Sequence, residues 1–575
     1  MNKDDIFYFQ KELTYLYETR ELFIQKYPKL APFLSHNSKD PDVERMIENL
    51  AILTAKIHQE LDQNIPYIAQ SLINIISPNY TNALPSLSMQ EFQIDENSKE
   101  KHILIPKGSY IKSLPVNKCE CIFKTVYDVF LYPLEIENVF LSSKKQYQTL
   151  NLNLKIHTNK DFNISELDLT QLNIYLGEDV YTSSTLLLYI HLYLRELKII
   201  SLDTNEEFKL SIYNIKPLGL LPNESTLSYN ELGFEAFALL REYFFLPEKF
   251  NFISINGLEV LKECLGRNFS IEFKFDKHLP KNCILRKELF SLGVTPIINI
   301  FPKSAEPIIN HHNQNGHRIF IDRNQPEAYE IVNVLQVKAH NSDTGRRMLK
   351  SYDNFERFEF LNENKNEFYS ISNQTNSKGE TFKEISFFST NNQAETITIE
   401  TLCCNKNLPL SLKLGDIQIC DFKDVVTKNI KNPSPMRKYN TDGNLLWKLV
   451  SMLSFNYQTM LNKTSFFSVL ESYSFLDDKE NMEVYQLLKE AIVDIQGNST
   501  YLVDEFITKK GTLTTIYLKD SKFYSLGEVY KLGLVISNFL ASFASINSFC
   551  ELKIKCLDSK ETLYYPTSFG KKPIL

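Results

Sequence analysis

Three histidines, His311, His312 and His317, crowd the segment NHHNQNGH and are the densest set of potential metal donors in the chain. A bound metal needs three or four donors converging at fixed geometry. Vicinal histidines on a loop do not aim at one ion, and no Cys or carboxylate stands at a helical offset from them. The expectation is a solvated loop. Cys119-x-Cys121 and Cys403-Cys404 are separated by one residue and by none, whereas zinc ribbons and knuckles space their pairs by two to four. Their flanks, CEC and LCCN, read as strands that bury small apolar side chains. Ser109 and Lys112 have the bare Ser-x-x-Lys spacing, but they sit in an alternating segment rather than at a helix start, and the companion motifs are missing. There is no Gly-x-Ser-x-Gly, no Walker loop, no Gly-x-Gly-x-x-Gly and no His-Glu-x-x-His. Asp477-Asp478 reads as a pair of loop acids. The sequence therefore predicts no catalytic residue, no cofactor and no metal.

With chemistry set aside, composition bounds what remains. A chain of 575 residues holds roughly three to five domains. Its 43% apolar and 23% charged content is ordinary for soluble protein. Glycine is scarce, at 17, against 70 Tyr and Phe together, so large rings fill the cores. The net charge of −7 offers no basic footprint for nucleic acid. Nine cysteines at irregular spacing read as reduced, buried thiols of the cytosol. The N-terminus MNKDDIFYFQKEL lacks a signal-type apolar run. The most apolar stretch, TLLLYIHLYL, is interrupted by His191 and stopped by Arg195, too short to span a bilayer. A cytoplasmic chain without direct membrane insertion is expected.

The front of the chain carries helical periodicity. Phe9, Leu13, Leu16, Phe23 and Tyr27 recur at steps of three, four and seven, with Arg20 at the skipped position, and Pro28 ends the run. Asp40-Pro41 is a start signal for a second helix. Its stripe is Val43, Met46, Leu50, Leu53, Ile57 and Leu61. A third stripe, Ile68, Leu72 and Ile75, lies between Pro66 and Pro78. Such stripes serve either a helical hairpin folded on its own domain or a coiled-coil-like bundle shared with partner chains.

Beyond residue 88 the period falls to two. Leu152, Leu154 and Ile156 alternate with polar residues, as do Leu172, Ile174 and Leu176, then Ile271, Phe273 and Phe275, then Ile397 and Ile399. This predicts mostly antiparallel sheets. Short helices are expected at Ser183 to Leu194 and Asn230 to Tyr243, with loops at Asn310 to Gly316, Asn362 to Gly379 and Thr427 to Gly443. Towards the end, Met482 to Ile495 reads as helix. Val529, Leu532, Ile536, Phe539 and Phe543 form another helical stripe, and Leu552, Ile554 and Cys556 alternate as a strand. The fold class expected is a multidomain α+β chain: an N-terminal helical bundle segment (1–88), mostly antiparallel β-rich domains (89–290 and 291–440) and a C-terminal α+β domain (441–575).

Several segments, in order and over nearly the full length, resemble the TssF baseplate subunit of the type VI secretion system. They are FQKELTYLYE, PKLA and DPDVERMIENLAILTAKI, then PYIAQSLINIISPNYTNALPS, in which Pro78-Asn79-Tyr80 stands where the family often has PHY. IPKGS, CIFKTVYDVFLYPL, LLREYFFLPEKFNF and TPIINIFPKSAEPI follow, the last being the most specific. LCCNKNLP comes next, with Lys406 where Arg is usual, then LLWKLVSMLSFNY and NFLASFASINSF. The resemblance implies a structural wedge subunit and no enzyme. It implies a TssG-like subunit, a second copy of the chain and TssK-like trimers as partners, with hub and spike and the sheath and tube components beyond them. It also implies that the N-terminal stripes join a helical core shared between chains, docked through the machine at the inner face of the cytoplasmic membrane. The family is similar to wedge proteins of contractile phage tails, so a wedge protein of a phage tail or another contractile injection machine is the alternative reading.

Overall fold

The computed structural model describes residues 3–27, 45–58, 82–438 and 460–570, apart from 145, 159–161, 227–235, 315, 342–344, 353–367, 376–380, 389–393, 474–478, 505–506 and 546–547. The chain divides into two compact units. One is Met1–Ile75 with Asn440–Leu453, and the other is Ile76–Tyr439 with Ser454–Leu575. The expected start at Asp40-Pro41, the third stripe, LLWKLVSMLSFNY and Asp477-Asp478 lie outside the described residues.

In the first unit, helix α1 (Lys3–Lys26) covers the stripe from Phe9 to Phe23. Helix α2 spans 45–58. His58 Nδ1 lies 2.6 Å from Oε1 of the buried Glu12, which lays the two helices side by side.

The second unit is built of sheets, and nearly all pairings are antiparallel. A six-stranded sheet runs in the order Ile417–Cys420, Tyr110–Ser113, Ile122–Thr125, Val294–Ile298, Leu87–Ile94, Val425–Asn429. Residues on both sides of position 290 thus share one sheet. A five-stranded sheet runs Glu207–Leu210, Leu194–Ser201, Asn268–Phe275, Gln148–Ile156, Leu134–Ser143. A four-stranded sheet ends at Ser291–Leu292. Another sheet is centred on Glu395–Cys404 paired with Glu330–Asn341. The alternating residues that mark these strands are the core: Leu152, Leu154, Ile174, Ile271, Phe275 and Ile397 are all fully buried. A strand with one face on the core buries every second side chain, which is why the period-two pattern was readable.

Four expectations need correction. The segment expected as helix from Ser183 to Leu194 is α3 (Val180–Leu188) and a π turn (Tyr189–Tyr193), after which Leu194 already opens a strand. The stretch Asn362 to Gly379, expected as a loop, contains the strand Phe368–Thr375, whose Tyr369 faces the core. Ser370 and Ser372 occupy the opposite, polar face, and Asn373 lies at the exposed far end of the Tyr369 face. The loop expected from Thr427 overlaps the strand Val425–Asn429. The helix expected to run to Ile495 ends at Ala491, and Ile492–Asp504 is a strand. The β-branched Ile492 and Val493 favour extended backbone there. Helix α4 (Ala236–Phe245) covers the described part of the second expected helical region, whose residues 230–235 lie outside the described residues.

The C-terminal part contains α5 (Lys463–Tyr473), α6 (Lys479–Ala491) and α7 (Leu526–Ala541). The strand Ile507–Leu518 pairs in parallel with Phe549–Cys556, and α7 is the crossover between them. This strand–helix–strand unit departs from the antiparallel rule. The stripe residues Val529, Leu532, Ile536 and Phe539 are buried. Gly527 sits so close to α3 that an added Cβ would lie 2.2 Å from the Ser184 carbonyl oxygen. The small residues Thr182 to Thr185 permit that approach. Lys531, buried on α7, donates to Asn251 Oδ1 at 3.2 Å, and Asn251 Nδ2 donates to Ser183 Oγ at 3.2 Å.

Candidate partner interface

Two features stand out once the side chains are placed: an outward-facing apolar helix and a set of buried polar junctions. The first lies on α2. Ala51 and Ala55, one turn apart, are buried, while Met46, Leu50, Leu53 and Ile57 are 73%, 48%, 58% and 48% exposed. Steps of four, three and four put these four on one face. An amphipathic helix in a monomer turns its large apolar side chains inward. This helix does the reverse, burying its alanines and presenting its long side chains. The result is a contiguous apolar stripe left exposed on the surface of this unit.

On α1 the neighbouring residues Phe9, Leu13 and Leu16 are half-buried, and Tyr27, just past the helix end, is 48% exposed. Phe23 falls within α1, and Val43 and Leu61 lie outside the described residues. The structure therefore gathers Met46, Leu50, Leu53 and Ile57 into one exposed stripe, with Phe9, Leu13 and Leu16 on the helix beside it.

The second feature explains sequence signatures that carried no visible chemistry. Asn299, in TPIINIFPKSAEPI, and Asn405, in LCCNKNLP, are both completely buried and bond to each other. Asn299 Nδ2 donates to Asn405 Oδ1 at 2.9 Å and to the Ile122 carbonyl at 2.8 Å. The Asn405 amide N–H donates to Asn299 Oδ1 at 2.6 Å, and Ile122 N–H donates to Asn405 Oδ1 at 3.2 Å. The ends of strands Val294–Ile298 and Glu395–Cys404 are thus pinned to the strand that starts at Ile122. Lys406, beside them, donates to the Pro326 carbonyl at 3.1 Å and to Glu327 Oε2 at 3.2 Å, so a single ammonium serves where the usual guanidinium would offer a fork.

A third junction lies in LLREYFFLPEKFNF. Glu242 on α4 pairs with Lys249, both inaccessible to solvent. Its other oxygen accepts from Ser225 Oγ at 2.8 Å, Thr226 N at 2.6 Å and Thr226 Oγ1 at 2.8 Å. Burial works to raise the Glu242 pKa, but the Lys249 ammonium and these donors outweigh it and hold the carboxyl below its ordinary value. A buried carboxylate that accepts four hydrogen bonds ties α4 to the segments that supply the donors.

The candidate donors fall out as follows. Among the described residues no three His, Cys, Asp or Glu side chains gather as metal ligands would. Of the three histidines, His311 is exposed on a loop as expected, while the other two are partly buried. His312 lies 3.6 Å from the buried Glu395, and His317 sits in a short strand where burial lowers its pKa. Cys403 and Cys404 lie in a strand as expected. Cys119 lies in an isolated bridge and Cys121 just before a strand. Burial raises the Cys403 thiol to about 11 and those of Cys121 and Cys404 to about 12, so all three are poor nucleophiles. No described helix is long and apolar enough to cross a membrane.

Antiparallel sheets joined by buried polar contacts, an exposed apolar helical face and the absence of a convergent catalytic or metal site among the described residues are features of a structural protein. The family model for "Type VI secretion system, TssF" matches residues 1–572. The chain belongs to this family, whose members are structural components of the secretion machine and not enzymes. It is 24% identical to the type VI secretion system component TssF1 of Pseudomonas aeruginosa, over the full length of both chains. Its fold matches a chain of a TssK-TssF-TssG baseplate subcomplex solved by cryo-electron microscopy, with a TM-score of 0.80 and 22% identity over 93% of this chain and 99% of that one. A chain of the type VI baseplate complex matches with a TM-score of 0.63 and 19% identity over 99% of this chain and 100% of that one.

Proposed function

We propose that this chain is a wedge subunit of a type VI baseplate, and that the exposed α2 face seals a helical core shared between chains. The partners proposed for that core are a TssG-like subunit and a second copy of the chain. TssK-like trimers join the same wedge, and the hub and spike and the sheath and tube assemble against it. The observation that carries this reading is the stripe Met46, Leu50, Leu53 and Ile57, left in water although its spacing suits helix packing. Family membership and the fold match to a chain solved with TssK and TssG support it. A platform of this kind sits on the cytoplasmic side of the machine, docked at the inner membrane face.

Leu53 tests the idea. It is more than half exposed, so Leu53→Glu leaves the isolated chain as stable as the parent. In a shared core the same change buries an unpaired carboxylate, which is costly. Co-purification with the TssG-like partner, with the complex mass measured in solution, is expected to give two copies of this chain per partner for the parent and no complex for the variant. An intact complex with the variant defeats the shared-core reading.

A further inference from the structure

The second unit holds a cleft of about 870 Å³, within the range of about 300–1,000 Å³ usual for ligand-binding clefts. None of the interface residues described above lines it. Its apolar lining includes Leu134, Ile136 and Phe290, with Phe130 and Val426 left 38% and 56% exposed. Its rim carries five carboxylates, Glu91, Asp95, Glu96, Glu135 and Glu288, against two ammonium groups, Lys287 and Lys428. Lys428 is already engaged with Glu91 at 3.1 Å. Glu96 and Glu288 are exposed, and neither is among the described ion pairs.

The walls add a backbone feature. The strand Leu134–Ser143 is the edge of its five-stranded sheet, and Ser291–Leu292 is the edge of the four-stranded sheet. Both contribute lining residues. Edge strands present unpaired N–H and C=O groups that can take up an added strand. Apolar lining, an acidic rim and two sheet edges together select one kind of occupant.

We propose that this cleft binds an extended segment of a partner protein in which apolar residues alternate with Lys or Arg. Alternate side chains of a strand point to opposite faces. The apolar set covers Phe130 and Val426, and the basic set meets Glu96 and Glu288, since Glu135 is already paired with Lys155 at 3.1 Å. The surface is separate from the α2 face, so its failure and the failure of the shared core are distinguishable.

The test uses the full chain and a fluorescein-labelled decapeptide of alternating Lys and Val, read by fluorescence anisotropy at low and physiological salt. A decapeptide of alternating Glu and Val is the control. Glu96→Lys with Glu288→Lys is expected to weaken the Lys peptide by about tenfold or more. A matched reversal at exposed sites elsewhere, Glu259→Lys with Glu263→Lys, is expected to leave binding unchanged, and the Glu peptide is expected not to bind. Circular dichroism melting confirms that both variants fold. Absence of binding to the parent chain overturns the proposal. Equal weakening by both double variants also overturns it, because the attraction is then only the diffuse pull of an acidic protein.

Discussion

Replacing Asn405 by Ala tests whether the buried amide pair holds the sheets together. The truncation removes Oδ1, the acceptor for Ile122 N–H at 3.2 Å and for Asn299 Nδ2 at 2.9 Å. Asn299 Nδ2 keeps its bond to the Ile122 carbonyl, so its loss is partial. The Ile122 amide is left in a partly buried site without that acceptor. An orphaned buried donor costs about 1–3 kcal/mol, and one net hydrogen bond is worth about 0.5–1.5 kcal/mol. The sum is about 1.5–4.5 kcal/mol. At about 1.4 kcal/mol per factor of ten, amide exchange in the strand Ile122–Thr125 speeds up by about 10- to 1,600-fold. Hydrogen–deuterium exchange with mass spectrometry on the full chain reads this directly. Lys406→Ala is the control, because it removes an ammonium whose carboxylate partner, Glu327, is 78% exposed. It is expected to cost no more than about 1 kcal/mol. If exchange at Ile122–Thr125 in Asn405→Ala stays within about threefold of the parent, the amide pair does not carry the junction and the argument fails.

Two further outcomes are expected. Glu242→Gln leaves the Lys249 ammonium buried without its counter-charge, which costs about 3–5 kcal/mol and is read as a lower urea midpoint. Because the Glu242 pKa is held below its ordinary value, its contribution is full above about pH 4.3. That contribution is lost as pH falls through the lower folded value, and an acid titration of the parent that shows no such loss contradicts the assignment. Lys383 behaves oppositely. Its ammonium donates to the Val332 carbonyl at 3.0 Å, and burial, only partly opposed by Glu330, pushes its pKa down to about 8. The unfolded chain then binds the proton more tightly, so this group makes the fold more stable as pH climbs from about 8 towards about 10. Lys383→Met is expected to abolish that rise in thermal melts, and parallel pH profiles for parent and variant refute it.

The sequence was most informative where one physical pattern governed a segment. Period-two runs such as Leu152 to Ile156 and Ile271 to Phe275 became buried strands because a half-solvated sheet sorts side chains by parity. The stripe from Val529 to Phe543 became α7 for the corresponding reason at helical spacing, except that the helix ends at Ala541 and Phe543 lies just past it. Polar content misled where a strand has a wet face: the Ser and Asn of Phe368–Thr375 looked like a loop, yet Tyr369 anchors that strand in the core. Boundaries failed where one apolar run crosses from helix to strand, as at Ala491-Ile492 and Tyr193-Leu194, since periodicity needs several residues to register a change. The stripe on α2 was visible as a stripe, but its outward orientation was not, because spacing does not say which face of a helix meets the core. Asn299 and Asn405 were visible only as parts of family-like segments. Their pairing joins positions about a hundred residues apart, which no local pattern encodes.

The division of the chain into two units also sets an order of events during synthesis. The helical unit draws on Met1–Ile75 and on Asn440–Leu453, so its last piece leaves the ribosome about 365 residues after its first. At about 5–20 residues per second, that interval is about 20–70 s. Throughout it, α1 and α2 are out of the tunnel while the segment that completes their unit does not yet exist. Met46, Leu50, Leu53 and Ile57 are then exposed on a unit that is still incomplete. The helical unit therefore closes late, after most of the sheet unit has emerged and with Ser454–Leu575 still to follow.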